Sequence, residues 1–104
     1  MAILDKSTAS ISTENTFTDY LPLVNSNRNF FSIKTHGTFV ATLTVQYKRP
    51  GENDADVIED TETFTAPFLK NGVLNGHWLV RCGVKTGDFT SGTAEVAIYK
   101  DGRN

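Results

Sequence analysis

Three side chains in this 104-residue chain could supply nucleophilic or acid–base chemistry: His36, His77 and the single cysteine, Cys82. A thiol attacks well only when a nearby base takes its proton, so the spacing of His77 and Cys82 decides the matter. They stand five positions apart in the run HWLVRC, which alternates as a strand does. An odd separation puts two strand side chains on opposite faces, and five steps at about 3.3 Å part them by roughly 16 Å. A local dyad is excluded. Cys82 reads instead as a small core hydrophobe beside Trp78 and Val84, because unpaired cysteine is among the most buried residue types.

A second possible chemistry is cation binding. Six of the twelve carboxylates fall between Glu52 and Glu62, and Asp54, Asp56, Glu59 and Asp60 carry the hard oxygens that calcium takes in sets of about six to eight. The ligand spacing of an EF-hand loop is missing, Asp-x-Asp alone is weak, and acidic runs in turns are ordinarily solvated. No metal and no other cofactor is expected. A Gly-rich phosphate loop, zinc-ligand spacing and a nucleophile elbow are all lacking from the sequence, so enzymatic activity is not expected either.

The elements that carry these residues read as strands. In WLVRCGVK, Trp78, Val80, Cys82 and Val84 share one face, against His77, Leu79, Arg81 and Lys85 on the other. The turn-rich TGDFTSG leads to a second strand with Ala94, Val96 and Ile98 opposed to Thr93, Glu95 and Tyr99, and the pair reads as a hairpin with one buried side. FVATLTVQYK has the cleanest alternation: Phe39, Ala41, Leu43, Val45 and Tyr47 inward, with Val40, Thr42, Thr44, Gln46 and Lys48 outward. Before it, FFSIKTH points Phe31 and Ile33 inward, Gly37 marks a tight turn, and NSNRN at 25–29 reads as another. Pro22 confines Tyr20–Leu23 to a sheet edge or bulge. Val57, Ile58 and Phe64 belong to one or two short strands. The Asn-Gly pairs of FLKNGVLNG favour positive backbone dihedrals and predict tight turns.

Seven or so short strands with turn signals about every 8 to 12 residues predict an all-β, antiparallel β-sandwich, Ig-like or jelly-roll-like. The expected core is Phe31, Ile33, Phe39, Leu43, Val45, Tyr47, Phe64, Trp78, Val80, Cys82, Val84, Val96 and Ile98. Residues 1–12, with only Ile3, Leu4 and Ile11 as larger apolar residues, read as an extended N-terminal arm, and residues 13–104 as one sandwich domain. Deleting the arm is expected to leave the melting temperature nearly unchanged. Phe30, Val40, Leu79 and Tyr99 lie on the polar side of their strands. Together with Ile3, Leu4 and Ile11 they are the candidate assembly interface.

Charged residues make up 21% of the chain and the net charge is −2, which gives no basic excess to attract a nucleic-acid backbone. One cysteine forms no intrachain disulfide. The N-terminus lacks the pattern of a signal peptide, and no apolar run approaches the roughly 20 residues of a membrane-spanning helix. A soluble protein folded in a reducing cytoplasm is expected, with neither nucleic acid nor membrane as partner.

Three blocks carry a resemblance: TENTFTD at 13–19, GTFVATLTVQYKRPGE at 37–52 and WLVRCGVKTGDFTSGTAEVAIYK at 78–100. They resemble small proteins encoded among the structural genes of tailed bacteriophages. The resemblance implies a virion β-sandwich made in the bacterial host cytoplasm. In function it implies a capsid decoration or cement protein that binds the assembled head and bridges major capsid subunits. A small cyclic homo-oligomer, a trimer favoured, goes with that reading. The alternative within the virion is a tail, neck or fibre component. A different class is a carbohydrate-binding module, in which Trp78, Tyr47 or Tyr99 would stack on a sugar.

Overall fold

The computed structural model describes residues 6–24, 27–53, 55 and 58–100. They form nine strands: β1 (Lys6–Ile11), β2 (Thr16–Phe17), β3 (Leu21–Leu23), β4 (Arg28–His36), β5 (Phe39–Lys48), β6 (Ile58–Phe64), β7 (Leu69–Asn75), β8 (Trp78–Gly92) and β9 (Ala94–Lys100). One sheet, A, has the order β1-β9-β4-β7. The other, B, runs β2-β8-β5-β6, with β3 also on β8. All the pairings are antiparallel.

The pairings are nested. β1 joins β9, β2 and β3 join β8, β4 joins β7, and β5 joins β6. The chain is therefore one long two-stranded ribbon, doubled back between β5 and β6 and rolled until β4 meets β9 and β5 meets β8. That is the strand order of a jelly roll, with its second strand split into β2 and β3, so the all-β sandwich is of the jelly-roll kind.

Rolling explains why the expected terminal hairpin is absent. β8 and β9 follow one another but belong to different sheets. The glycines of TGDFTSG, taken above for a return turn, do other work. Gly87 (φ 88°) sits where β8 runs from Val84 to Phe89 while its partner advances only from Leu43 to Ala41, and Gly92 (φ 91°) ends β8 at the corner between sheets. The β4–β5 turn at Gly37 is the matching corner on the other arm of the ribbon, and the Thr93 N–H donates to the Thr38 carbonyl at 2.9 Å between them.

Three further expectations change. The segment read as an arm enters sheet A as β1, and Ile11 is fully buried. Of the two Asn-Gly pairs only Asn75–Gly76 makes a turn; Asn71–Gly72 lies inside β7, where the missing side chain admits the Phe31 ring, since a Cβ on Gly72 would stand 2.6 Å from it. Arg28 and Asn29, assigned to a turn, open β4, and Asn29 donates from Nδ2 to the Gly76 carbonyl at 2.7 Å.

The core fills the space between the sheets. Phe31, Ile33, Leu43, Val45, Val80, Cys82, Val84, Val96 and Ile98 are buried there, joined by Ile11, Leu21, Leu23, Ala41 and Ala94. Phe39, Tyr47 and Phe64 are partly buried against it. Trp78 stays half-exposed at the rim rather than inside, with its Nε1–H donating to the Asn75 carbonyl and the Arg49 guanidinium 4.0 Å above its ring. Pro22 is on β3, at the margin of sheet B, where its missing N–H costs no ladder bond.

Candidate functional site: the outer sheet faces

Strand alternation gives each sheet one face to the core and one to the outside. On the outside of sheet A the register aligns Lys6–Tyr99–Ser32–Asn71 in one row, and Thr8–Ala97–Lys34–Leu69 and Phe30–Val73 in the rows on either side. Leu69 is 68% exposed, Phe30 45%, Val73 42% and Tyr99 38%. Phe30 and Val73 are direct cross-strand neighbours, and Tyr99, opposite Ser32, is diagonal to Phe30 in the register. Arg28 lies 5.4 Å from the Phe30 ring centroid. The result is a face on which these apolar side chains alternate with polar ones and with Lys6, Arg28 and Lys34, all exposed.

The outside of sheet B has the opposite character. Arg81 lies 4.3 Å from the Phe17 ring centroid and 4.7 Å from that of Tyr20, while Lys48 stands 4.5 Å from Tyr20. The Arg81 Nε–H donates to Gln46 Oε1 at 2.8 Å. Gly83 lets β2 lie close against β8 here, because a Cβ would meet Phe17 within 2.7 Å. Thr44 and Gln46 point outward as expected yet are buried, with 1% and 3% exposure, beneath this layer. Shallow depressions flank it, one reaching Asp19 and Lys48 and the other Lys85.

The four surface hydrophobes expected to share a face are thus divided between two. Phe30 and Tyr99 are on sheet A. Val40, 59% exposed, and Leu79, half-buried beside Pro22, are on sheet B. Ile11 drops out because it is core, and Ile3 and Leu4 lie outside the described residues. Leu69 and Val73 were missed, since the Asn-Gly pairs around them read as turn rather than strand.

The residues with chemical potential do not converge. Cys82 faces the core and burial pushes its thiol pKa up to about 12. His36 and His77 are exposed, one at the Gly37 corner and the other just beyond β7, at opposite ends of β4. One row on sheet A does align Ser10, Glu95 and His36. The Ser10 hydroxyl donates to Glu95 at 2.5 Å, so the carboxylate stands beside the serine where a hydrolytic triad would need the imidazole. Burial, with a smaller contribution from Glu62, raises the Tyr47 pKa to about 12.

Among the described residues no three His, Cys, Asp or Glu side chains are grouped to hold a metal. Asp54 and Asp56, and the side chains of Glu59 and Asp60, lie outside the described residues. No helix of the described residues is long and apolar enough to cross a membrane. In comparisons with known proteins, no family model matches the chain and no curated protein is significantly similar to it.

Proposed function

We propose that this chain is a structural component of a tailed-phage virion, a decoration or cement protein that binds the assembled head and ties neighbouring capsid subunits together. The observation that carries the reading is the outer face of sheet A, a four-stranded sheet on which Phe30, Leu69, Val73 and Tyr99 are exposed. Exposed large apolar side chains gathered on one face mark contact surfaces. The jelly roll is consistent with it, because capsid domains commonly use this fold, although the same fold also serves lectins and enzymes and so decides nothing alone. The resemblance of the three sequence blocks supplies the placement in a phage particle.

Acting as a small ring, a trimer favoured, the copies would meet through other surfaces and present sheet A to the shell in the same orientation. Of the three rings the sugar-binding alternative would use, Trp78 is already stacked by Arg49 and Tyr47 is partly buried against the core, which leaves Tyr99 alone exposed and no stacking platform of several rings. Quantitative mass spectrometry of purified particles tests the proposal. Hundreds of copies in a simple ratio to the major capsid protein are expected. A handful of copies would indicate the neck, tail or fibres, and absence from particles would overturn the virion reading.

A further inference from the structure

The two outer faces of the sandwich differ in a way that identifies which one takes a partner and what that partner looks like. On sheet B the aromatic faces of Phe17 and Tyr20 are covered by the protein's own cations, Arg81 and Lys48. On sheet A, Leu69, Val73 and Tyr99 stay exposed, and Phe30 is still 45% exposed with the Arg28 guanidinium 5.4 Å from its ring centroid. Among the described residues the basic side chains of that face are Lys6, Arg28, Lys34 and His36, and its one carboxylate is Glu95, already accepting from Ser10. The chain as a whole carries −2, so this positive charge is local to the face.

Size agrees with a specific contact. Four strands about 4.8 Å apart and a 9-residue β4 at about 3.3 Å per residue give a face of roughly 19 by 30 Å. That is on the order of 600 Å² before side-chain relief is added, close to the roughly 800 Å² each partner gives to a standard interface. Two copies meeting through this face would bring together two surfaces that each carry Lys6, Arg28 and Lys34, and this like charge disfavours self-pairing here.

We infer that the outer face of sheet A is the docking surface, and that its occupant is an acidic protein surface with exposed apolar side chains, provided by the capsid shell and not by a second copy of this chain. The inference rests on the virion reading and specifies the contact within it. Apolar burial along Phe30–Val73 and Leu69 holds the complex, while Lys6, Arg28 and Lys34 set its orientation and salt dependence.

The experiment uses heads purified from phage lacking the gene and full-length protein added back. Wild type is expected to bind, with affinity falling about tenfold or more when salt is raised to about 0.5 M. The pair Phe30→Ser and Leu69→Ser, and separately Lys6→Glu with Lys34→Glu, should each weaken binding about tenfold or more. Val40→Ser on sheet B should bind as wild type. Hydroxyl-radical labelling of wild type, free and head-bound, gives a readout that no substitution can disturb, with Tyr99 and Phe30 protected on binding. Wild-type binding with unprotected Tyr99 and unaffected sheet A variants would overturn this inference and leave the virion reading standing. Failure of wild type to bind would overturn both this inference and the head-decoration reading. A free protein whose oligomer is taken apart by the Phe30→Ser and Leu69→Ser pair would put a second copy on the face and overturn the choice of partner.

Discussion

Gly37 and Gly92 close the same corner of the jelly roll from opposite arms of the ribbon, and the backbone beside each occupies the space that a side chain on the other would need. Both have positive φ, 106° and 91°. A Cβ on Gly37 would stand 2.5 Å from the Thr93 carbonyl oxygen. One on Gly92 would stand 2.2 Å from that of Thr38. The contacts are with backbone, which cannot swing aside as a flexible side chain does. Gly87 has a similar φ, 88°, but nothing within 4 Å of its missing Cβ.

These three positions separate conformational strain from steric conflict. Gly87→Ala should cost about 1 kcal/mol, for the left-handed backbone alone. Gly37→Ala and Gly92→Ala should each cost about 2–4 kcal/mol, because overpacking adds to the strain. The double substitution should cost less than the sum, since the first opens the corner that the second needs. Urea unfolding of the five proteins, wild type included, measures all of this. Equal effects at positions 87 and 92 would mean that the corner yields without cost.

The corner also marks the boundary of what was legible in the sequence. Alternation from Phe39 to Tyr47 and from Trp78 to Val84 told which side of each strand faces inward, because that is a local property of the pleat. Which sheet each strand joins is a long-range property. A glycine at a bend looks the same whether the chain folds back on its neighbour, as at Asn75–Gly76, or crosses to the other sheet, as at Gly92. For that reason the sandwich was readable and the hairpin was wrong, and Phe30 and Val40 appeared to share a surface that the fold divides. Ile11 was misplaced for a related cause. One apolar residue among serines and threonines gives no period to read, and only its pairing with Ala94 and its complete burial in the folded chain make it core.

Ile11 carries the second prediction, and it reverses the expectation for the N-terminal segment. β1 is hydrogen-bonded to β9 over six residue pairs, and Ser7 donates to the Asp19 carbonyl at 2.7 Å. Ile11→Ala should cost about 2–5 kcal/mol by leaving a cavity at the end of the core. Deleting residues 1–12 should lower the melting temperature by well over 10 °C, since it removes that side chain and exposes β9 as an unprotected edge. Thermal unfolding followed by circular dichroism decides it. An unchanged midpoint would return the segment to the status of an arm.

Alkaline pH is the third test, through Cys82 and Tyr47. Both folded pKa values are raised, to about 12 from 9.0 and 10.0, first by burial and for Tyr47 also by Glu62. Between the unfolded and folded values the native state keeps protons that the unfolded chain has lost, so stability falls as pH rises. The contribution is fully present below about pH 9 and is lost progressively towards pH 12. Melting temperatures should therefore be level from pH 7 to about 8.5 and then decline, with a shallower decline for Cys82→Ala, although that variant starts lower because of its cavity. Native Cys82 should also resist a thiol reagent at pH 8 and react on unfolding. Rapid labelling of the folded protein would contradict its burial.

The last prediction concerns Arg81, whose role explains why sheet B is the quieter face. Its guanidinium lies against Phe17 and Tyr20 and its Nε–H donates to Gln46, a residue only 3% exposed. Arg81→Ala removes two cation–π contacts worth about 0.5–1 kcal/mol each and a donor to a buried amide oxygen worth about 1 kcal/mol or more, for a total loss of about 2–3 kcal/mol. Arg81→Lys keeps the charge but has neither the planar surface nor the fixed Nε–H, so it should recover less than half of that loss. Raising salt to about 0.5 M should change the Arg81→Ala difference little, because the contacts are short and the acceptor is neutral. Urea unfolding of the three proteins at two salt concentrations makes the comparison. Full recovery by lysine would reduce Arg81 to a solubilising charge, and Phe17 and Tyr20 would then stand as open to a partner as Phe30 and Leu69 are on sheet A.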